Sequence, residues 1–255
     1  NKMNTEKEIY RSDEAWAILN EERRQKPPKS FLSHLPSLNA YIEDFRSGEI
    51  TVISGKTGHG KTLLAMSLTK SMSEQGLNAL WFSYELAPYD FLEKTIKQNG
   101  TIPNFYLPLH LIPNKLDYVD FKIKEAKKLF TLHAVFVDHL HFLCDSRDIR
   151  LTVEIGKVMR WLKSCAIKHE VAIFLIAHIA KLQDVKVSDL DNDHLKDASS
   201  IAQDSDNVFF VIRLNEDNLA KLKITKNRRR GVRGKIIDLI KVGNFLEEKD
   251  YIHGN

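Results

Sequence analysis

Short apolar runs alternate with longer stretches of helical periodicity along most of this chain. From Ile50 onward the runs are rich in Val, Ile, Leu and Phe. Continuous apolar runs of this length are typical of strands buried on both faces, and the helical stretches between them are typical of parallel crossovers. The pattern predicts an α/β fold in which a mostly parallel central sheet is flanked by helices. Strands are predicted at 51–54, 79–83, 133–138, 171–177 and 208–213, and helices at 63–72 and 153–169 among others.

The last third of the chain follows a different pattern. Segments 221–225 and 235–239 predict two antiparallel strands that close the sheet around a basic turn at 227–234. Residues 180–199 are polar, rich in Asp and weakly periodic, so they predict a long loop. Loops of that length in a compact domain are usually functional or mobile.

The amino-terminal segment predicts a separate element. Residues 5–25 have the spacing of a helix with a narrow apolar face, which Pro27 and Pro28 end. A short amphipathic helix cannot bury its apolar side alone, so it packs either on its own domain or on a neighbour. We therefore divide the chain into a helix with a Pro-containing joint (1–34) and a main domain (35–255). Because the sequence begins with Asn1 rather than methionine, we expect a domain of a longer polypeptide.

The composition is that of an ordinary globular protein, with 43% hydrophobic and 28% charged residues. No apolar run is long enough to cross a bilayer and the amino end is polar, so the sequence predicts neither a spanning segment nor a secretory signal. Cys144 and Cys165 lack the spacing of metal ligands and are expected to be reduced thiols. We expect a cytosolic or equivalent compartment and no membrane partner.

The positive charge is concentrated in one segment. The net charge of +4 and the pI of about 8.9 allow a polyanionic partner but do not require one. Cations packed closely along a chain repel one another unless anions lie near. The segment is therefore either a solvated basic loop or an anion-binding element. Its cations are Lys221, Lys223, Lys226, Arg228, Arg229, Arg230, Arg233 and Lys235.

A glycine-rich run follows the first predicted strand and opens the first predicted helix. Glycines allow the backbone to wrap around a phosphate, so that successive N–H groups and the helix N-terminus point at its oxygens. Lys61 would reach the β- and γ-phosphates, and the Thr62 hydroxyl would take a Mg²⁺ position. We identify the run as a P-loop that binds ATP or another nucleoside triphosphate. Its residues are Gly55, Lys56, Thr57, Gly58, His59, Gly60, Lys61 and Thr62.

Three further side chains end other predicted strands. Asp138 ends an apolar strand that we expect beside the P-loop strand, where the carboxylate would hold Mg²⁺ mostly through water. Capping of the next turn is the alternative for Asp138. Glu85 directly follows a strand and would orient and deprotonate the attacking water. His178 also ends a strand, and it either senses the γ-phosphate or has a structural role.

A series of motifs occurs in the order found in hexameric replicative helicases. Over about residues 35–245 the chain resembles the helicase domain of the DnaB family, and it is most similar to the phage primase-helicase and mitochondrial Twinkle branch. That branch has histidine at the position of His178, where the DnaB proteins themselves have glutamine. Besides the P-loop with its strand (48–62), the motifs are Trp81-Phe82-Ser83-Tyr84-Glu85-Leu86, Val137-Asp138-His139-Leu140, Ala177-His178, Ala202-Gln203-Asp204-Ser205-Asp206-Asn207-Val208 and Lys226-Asn227-Arg228.

The resemblance implies a RecA-like P-loop NTPase core. Such cores assemble as a homo-oligomeric ring, expected to be hexameric, that moves along single-stranded DNA from 5′ to 3′ and unwinds duplex while hydrolysing ATP. Residues 5–25 then look like a linker helix that docks on the adjacent subunit. A primase or a helicase loader is the expected further partner.

The resemblance also implies roles for individual residues. Lys61 and Thr62 bind phosphate and Mg²⁺, Asp138 is the metal-side carboxylate, Glu85 is the catalytic base, and His178 is the γ-phosphate sensor. Gln203 lies in a motif that faces the nucleotide and helps couple it to DNA.

Two cations of the basic segment (221–235) would act on a different subunit. In the Lys-x-Arg motif, Lys226 and Arg228 would reach into the neighbouring subunit's site, with Arg228 as the arginine finger. Arg229 and Arg230 follow directly and leave the finger assignment open. Phosphates of DNA would be contacted from two loops, near 145–151 and 181–199. The candidate residues are Arg147, Arg150, Lys181, Lys186 and Lys196.

Two other functions remain open at this stage. One is a RecA-like recombination or clock-type ATPase that assembles on DNA or protein without unwinding. The other is a ring-forming loader or adaptor in which ATP controls assembly. A small-molecule kinase is disfavoured, because the sequence shows no acceptor-binding lid and the Lys-x-Arg hairpin would have no role.

Overall fold

The computed structural model describes residues 9–27, 29–99, 103–113, 115–144, 151–178, 191, 198–214 and 218–252. In this part of the chain the strands are β1 (Ser30–Phe31), β2 (Phe45–Arg46), β3 (Ile50–Gly55), β4 (Asn78–Ser83), β5 (Leu132–Asp138), β6 (Ala172–His178), β7 (Asn207–Arg213), β8 (Leu219–Asn227), β9 (Lys235–Val242) and β10 (Phe245–Glu248). The helices are α1 (Ser12–Gln25), α2 (Pro36–Ile42), α3 (Lys61–Glu74), α4 (Pro88–Asn99), α5 (Leu116–Leu129), α6 (Leu151–His169), α7 (Ala198–Asp204) and α8 (Lys249–Ile252), and a 3₁₀ turn spans Leu140–Leu143.

Strands β3 to β10 form one sheet in the order β10-β9-β8-β7-β3-β6-β5-β4. β4, β5, β6, β3 and β7 are parallel, whereas β8, β9 and β10 continue the sheet as antiparallel strands. This arrangement confirms the predicted α/β fold with its mostly parallel sheet. The two closing antiparallel strands are present and are longer than predicted.

The strand that ends at Asp138 does not lie beside the P-loop strand, so that prediction is wrong. β5 pairs with β4 and β6, and β6 separates it from β3. All these strands are apolar on both faces, so their local sequence does not determine which of them pairs with β3. The carboxyl ends still meet at one edge of the sheet, which keeps Asp138 near the P-loop.

Two hydrophobic cores lie on opposite faces of the sheet, because successive residues of a strand point to opposite sides. On the face covered by α3, Phe136 stacks between Trp81 and Phe174, with ring centroids 4.8 and 4.6 Å apart. On the other face α5 and α6 cover residues such as Val137. Each fully buried side chain of this size contributes roughly 1.5–3 kcal/mol. The buried layers on both faces hold the strand ends in fixed positions.

The amino-terminal helix α1 buries none of its residues. Trp16 is 71% exposed and Leu19 is 60% exposed. An ion pair of 2.9 Å between Lys26 and Glu170 lies just after the helix. The apolar side of α1 is therefore open along the described part of the chain.

Helices α2, α4 and α5 were not predicted, and the small pair β1 and β2 was also missed. Most of the predicted loop at 180–199 lies outside the described residues.

Cys144 and Cys165 are buried thiols that form no disulfide. Among the described residues, no helix is both long and apolar enough to cross a membrane.

Candidate functional site

The P-loop connects the end of β3 to the start of α3 by a turn that needs glycine at two positions. A Cβ on Gly55 would clash with the carbonyl oxygen of Val211 in the neighbouring strand. Gly60, just before α3, has φ +97°, which side chains other than glycine rarely adopt. The loop is also tied to β7, because the backbone N–H of Arg213 donates to His59 Nδ1 at 3.2 Å. The backbone therefore takes the shape expected for a phosphate cradle.

Lys61 lies under this loop and is 6% exposed. Its ammonium donates to the carbonyl oxygens of Gly55 and Lys56, both at 3.0 Å. Burial lowers the pKa of Lys61, while the charges of Asp138 and Glu85 act in the opposite direction. A buried cation with this environment gains from an added anion, and a phosphate at the loop would supply one.

Asp138 points its side chain at the P-loop rather than at the turn that follows it. Thr62 donates a hydrogen bond from its hydroxyl to Asp138 Oδ2 at 2.9 Å. The other oxygen, Oδ1, is buried, and among the described residues no donor lies within hydrogen-bonding distance of it. Burial raises the pKa of Asp138 to about 6, with Glu85 adding to the rise and Thr62 and Lys61 opposing it. A buried carboxylate oxygen without a donor, beside a hydroxyl, fits a hard divalent cation such as Mg²⁺.

Glu85 and His178 line the same cavity as the P-loop. The cavity has a volume of about 280 Å³ and is also lined by Thr57, Lys61 and Thr62. The backbone N–H of Glu85 donates to the carbonyl oxygen of Asp138 at 3.2 Å. His178 pairs in register with Gly55, at the end of the strand next to β3. The structure thus brings together the predicted phosphate, metal and water-activating residues, whose roles stay predictions.

Four residues near this cavity were not predicted. His139 is 5% exposed and packs against His178, with ring centroids 3.9 Å apart and the ring planes tilted by 53°. Lys94 comes from α4, and Lys241 and Asn244 come from the β9–β10 hairpin. No motif marks Lys94, Lys241 or Asn244, because distant segments bring them to the P-loop, whereas His139 lies in a motif but was given no role in nucleotide binding. For His139, the only signal available in the sequence was its place directly after Asp138.

Lys226, Arg228 and Gln203 lie at the opposite edge of the sheet from the P-loop of their own chain. Lys226 Nζ donates to the carbonyl oxygens of Ser205 at 2.7 Å and of Gln203 at 3.3 Å. Arg228 also donates to the Gln203 carbonyl oxygen. These residues lie near the start of β3, whereas the P-loop follows its end. Because β3 is 6 residues long, roughly 16 Å separates its two ends. These three residues are therefore not brought to the nucleotide cavity within one chain. For Lys226 and Arg228, contact with nucleotide stays a prediction about a neighbouring subunit, whereas Gln203, which was predicted to face the nucleotide, lies away from the cavity of its own chain.

The three consecutive arginines have different surroundings. Arg229 is 20% exposed in its side chain, lies 2.7 Å from Asp44 Oδ1, and donates to the carbonyl oxygens of Ile42 and Asp44 at 2.6 Å. Arg230 donates to the carbonyl oxygen of Ala40 at 3.2 Å. Arg228 is 49% exposed in its side chain. Arg229 is thus bound to its own domain, whereas Arg228 is accessible from outside.

A second cavity, of about 570 Å³, lies between α1 and this edge of the sheet. It is larger than the cavity at the P-loop, but no phosphate-binding backbone lines it. Its walls include Leu19, Arg46, Asp206, Arg228 and Arg229. The predicted phosphate-binding residues Lys61 and Thr62 line the smaller cavity and not this one.

The predicted DNA contacts lie outside the described residues. They are Arg147, Arg150, Lys181, Lys186 and Lys196.

Asp120, Cys165 and His169 form a cluster in which the potential ligand atoms lie within 4.8 Å of one another. Asp120 accepts hydrogen bonds from His169 at 2.7 Å and from Lys168 at 3.0 Å, and it also pairs with Lys124. Two lysines at one carboxylate disfavour a metal ion. We therefore interpret the cluster as an ion-pair network between α5 and α6.

The chain resembles known proteins in both sequence and fold. Residues 111–239 match the family model of the DnaB-like helicase C-terminal domain. The replicative DNA helicase DnaB of Mycoplasma genitalium is 23% identical over an alignment 242 residues long, which covers 78% of this chain and 52% of that protein. The chain thus spans about half the length of this curated relative.

Two solved structures share the fold. A DnaB-like replicative helicase, described with its interactions with primase, superposes with a TM-score of 0.77 at 18% identity, over 96% of this chain and 68% of that chain. The ATPase domain of a phage helicase superposes with a TM-score of 0.76 at 18% identity, over 94% of this chain and 99% of that chain.

Proposed function

Because this chain belongs to the DnaB-like helicase C-terminal domain family, we propose that it is the ATP-hydrolysing motor of a ring-forming replicative DNA helicase. Its fold is the RecA-like fold of the helicase ATPase domains described above. The observation that carries the proposal is the division of the site between two edges of the sheet. The P-loop cavity lies at one edge, and the accessible Arg228 lies at the other. A ring in which each chain offers Arg228 to its neighbour would complete every site.

The predicted site residues at and beside the cavity each have a role in this proposal. The P-loop N–H groups and Lys61 bind the phosphates, and Thr62 and Asp138 hold Mg²⁺, which neutralises charge on the phosphate oxygens. Glu85 orients the attacking water and accepts its proton. His178 contacts the γ-phosphate from the end of β6. Metal binding requires Asp138 to be ionised, and because burial raises its pKa, a bound cation would in turn stabilise the ionised form.

Arg228 and Lys226 would act on the neighbouring subunit's nucleotide. A guanidinium at the transferring phosphate stabilises the charge that develops there. The half-exposed side chain of Arg228 supports this role, whereas the contacts of Arg229 with Asp44 and with backbone carbonyls argue against Arg229 as the finger.

The open apolar side of α1 supports its docking on a neighbour. Trp16 and Leu19 would be buried there, which would stabilise the ring. The proposal also includes a hexameric ring that moves along single-stranded DNA from 5′ to 3′. A primase or a helicase loader is the proposed further partner.

ATP hydrolysis measured against protein concentration, with and without single-stranded DNA, tests the proposal. We expect the rate of ATP hydrolysis to rise steeply with protein concentration and to be stimulated by DNA. Both effects should be lost in Arg228→Ala. Arg233→Ala is the matched control, because Arg233 belongs to the same turn but is 67% exposed and pairs with Asp191. If turnover is linear in protein and indifferent to DNA and to Arg228→Ala, the shared-site motor is excluded. Stimulated turnover leads to a forked-duplex unwinding assay, and failure to displace a strand there would favour a DNA-dependent ATPase without unwinding.

A further inference from the structure

Asp206 is a buried acidic residue outside the nucleotide cavity, at the start of β7. It is 7% exposed. A buried carboxylate requires several donors to offset the loss of its hydration. Its donors come from two different parts of the chain, and this division indicates what the residue does.

One set of donors belongs to the P-loop side of the domain. Asp206 Oδ2 accepts from the backbone N–H of Ile50 at 2.8 Å and from Lys163 Nζ at 2.6 Å. The backbone N–H of Asp206 donates in turn to the Ile50 carbonyl oxygen at 2.9 Å. Ile50 is the first residue of β3, the strand that leads directly into the P-loop. Asp206 is thus fixed to the base of that strand through both its backbone and its side chain.

The other donors belong to Arg228. The Arg228 backbone N–H donates to the Asp206 carbonyl oxygen at 2.8 Å. Its guanidinium donates to Asp206 Oδ1 at 3.3 Å and also to the Gln203 carbonyl oxygen. One residue therefore holds both the backbone and the side chain of the arginine. A long side chain that is half exposed would otherwise sample many rotamers.

A second polar chain runs parallel to this contact. Asn207 donates to Thr51 Oγ1 at 3.0 Å, and Asn227 donates to Asn207 Oδ1 at 2.7 Å. Asn227 Oδ1 accepts from the backbone N–H of Arg230 at 2.8 Å. All three residues Thr51, Asn207 and Asn227 are buried. The basic turn is thus connected to β3 by buried hydrogen bonds on both sides of Arg228.

We propose that Asp206 is a positioning residue that presents Arg228 to the neighbouring subunit and couples its placement to the P-loop strand of its own chain. The inference rests on the proposed function, because it needs Arg228 to act on a neighbour. Asp206 does not touch nucleotide. It limits the directions in which the guanidinium projects from the surface, and a misplacement of about 1 Å can reduce turnover about 100-fold.

Asp206 could instead act in its own chain, through Ile50 and the P-loop. Mixing inactive subunits separates the two roles, because each site combines the P-loop of one subunit with the arginine of another. The variants are Asp206→Asn, Glu85→Gln, which disables the P-loop partner, and Arg228→Ala, which disables the arginine partner. Subunits are mixed before ring assembly, and ATP turnover is compared with that of each variant alone.

If Asp206 positions Arg228, then Asp206→Asn alone lowers kcat by about 10- to 100-fold with little change in nucleotide affinity. Mixing Asp206→Asn with Glu85→Gln restores turnover, because intact P-loops meet intact arginines at some interfaces. Mixing Asp206→Asn with Arg228→Ala does not, because every interface lacks a well-placed arginine. The reverse pattern would assign Asp206 to its own P-loop and overturn the inference.

Two controls complete the experiment. Lys163→Met removes the other side-chain partner of Asp206 without touching Arg228, and it is expected to retain most turnover. Asp206→Glu repeats the mixing test with the charge kept, in case the asparagine variant does not fold. If neither variant folds, Asp206 has a structural role alone and the inference is overturned. Arg228→Ala mixed with Glu85→Gln must itself restore turnover, and its failure would count against the proposed function rather than against Asp206.

Discussion

Thr62 donates a hydrogen bond of 2.9 Å from its hydroxyl to Asp138 Oδ2, and this contact joins the start of α3 to the end of β5. Since β6 lies between β5 and the P-loop strand, the contact depends on the register of three neighbouring strands. The other carboxylate oxygen of Asp138, Oδ1, is buried and has no donor within hydrogen-bonding distance among the described residues. A hydroxyl and a buried carboxylate side by side are oxygen groups of the kind that Mg²⁺ prefers, which fits the metal site proposed above.

We predict that Asp138→Asn stabilises the protein when nucleotide and Mg²⁺ are absent. Burial raises the pKa of Asp138 to about 6, so the folded state binds a proton more readily than the unfolded chain between about pH 4 and pH 6. The wild type therefore loses stability as the pH rises through this window, and the asparagine variant does not. At pH 7 the variant should be about 2–3 kcal/mol more stable, with the gain shrinking toward pH 4. Urea unfolding in EDTA at several pH values measures this.

The matched control for Asp138→Asn is Asp238→Asn. The Asp238 side chain is 52% exposed and pairs with Lys221 at the surface. Its effect on stability should be small, because exposed pairs contribute about 0–1 kcal/mol. If Asp138→Asn increases the stability by the same amount at pH 4 and pH 7, the raised pKa does not belong to Asp138.

We predict that Lys61→Ala and Glu85→Gln separate binding from hydrolysis. Lys61 lies beneath the P-loop, so its loss should abolish nucleotide turnover by weakening the binding of the phosphates. Glu85 is exposed at the cavity, so its amide variant should bind nucleotide normally while hydrolysis falls by about 100-fold or more. Titration with a fluorescent nucleotide and phosphate release give the two measurements. Normal hydrolysis in Glu85→Gln would require another general base.

We predict opposite consequences for two adjacent arginines. Arg229→Ala removes contacts with Asp44 and two backbone carbonyls, so it should destabilise the domain by about 2–3 kcal/mol. Arg228→Ala removes a half-exposed side chain and one hydrogen bond of 3.3 Å to Asp206, so it should cost less stability than Arg229→Ala but abolish most DNA-stimulated turnover. Thermal unfolding and ATPase assays on both variants test this pair. If Arg229→Ala folds normally and loses turnover while Arg228→Ala keeps it, Arg229 is the finger.

Much of the fold and the chemistry of the P-loop could be predicted because they are local in the sequence. The predicted strand 51–54 is Ile50–Gly55, and the predicted helix 63–72 is Lys61–Glu74. The DnaB resemblance, based on motifs in order, is confirmed by the family match. Helix α5 was missed although Val119, Ile123 and Ala126 have helical spacing and are buried, so that signal was available.

Other features could not be predicted because distant segments determine them. The position of β6 between β5 and β3 depends on how crossovers pack, and all these strands have similar composition. The placement of Lys241 at the cavity depends on the β9–β10 hairpin reaching the P-loop. The different surroundings of Arg228 and Arg229 depend on Asp44 and Asp206, which are far away in sequence.

We predict that Asp120→Asn destabilises the protein at neutral pH but much less in acid. Burial alone would raise the pKa of Asp120, but hydrogen bonds from Lys124, His169 and Lys168 lower it well below its ordinary value. The ionised carboxylate therefore stabilises the α5–α6 contact above about pH 4, and this contribution is lost as the pH falls through the lowered pKa. The free energy of unfolding of the variant should be about 1–2 kcal/mol below that of the wild type at pH 7, and the difference should be smaller at pH 3. The control is Asp117→Asn, because Asp117 is on the exposed side of α5. An equal loss of stability for Asp120→Asn at both pH values would contradict the prediction.

We predict that His139 holds His178 at the nucleotide cavity by packing. The ring centroids lie 3.9 Å apart, and His139 is 5% exposed, so removing the His139 ring would remove a packing contact that restricts the orientation of His178. His139→Ala should lower kcat by about tenfold or more with little change in nucleotide affinity. His139→Phe keeps an aromatic ring at this place and should retain most of the turnover. His133→Ala, at the far end of β5, is the control because that side chain is partly exposed and distant from the cavity. Wild-type turnover in His139→Ala would show that His178 needs no support, whereas equal losses in the alanine and phenylalanine variants would assign the effect to the imidazole nitrogens instead of to packing.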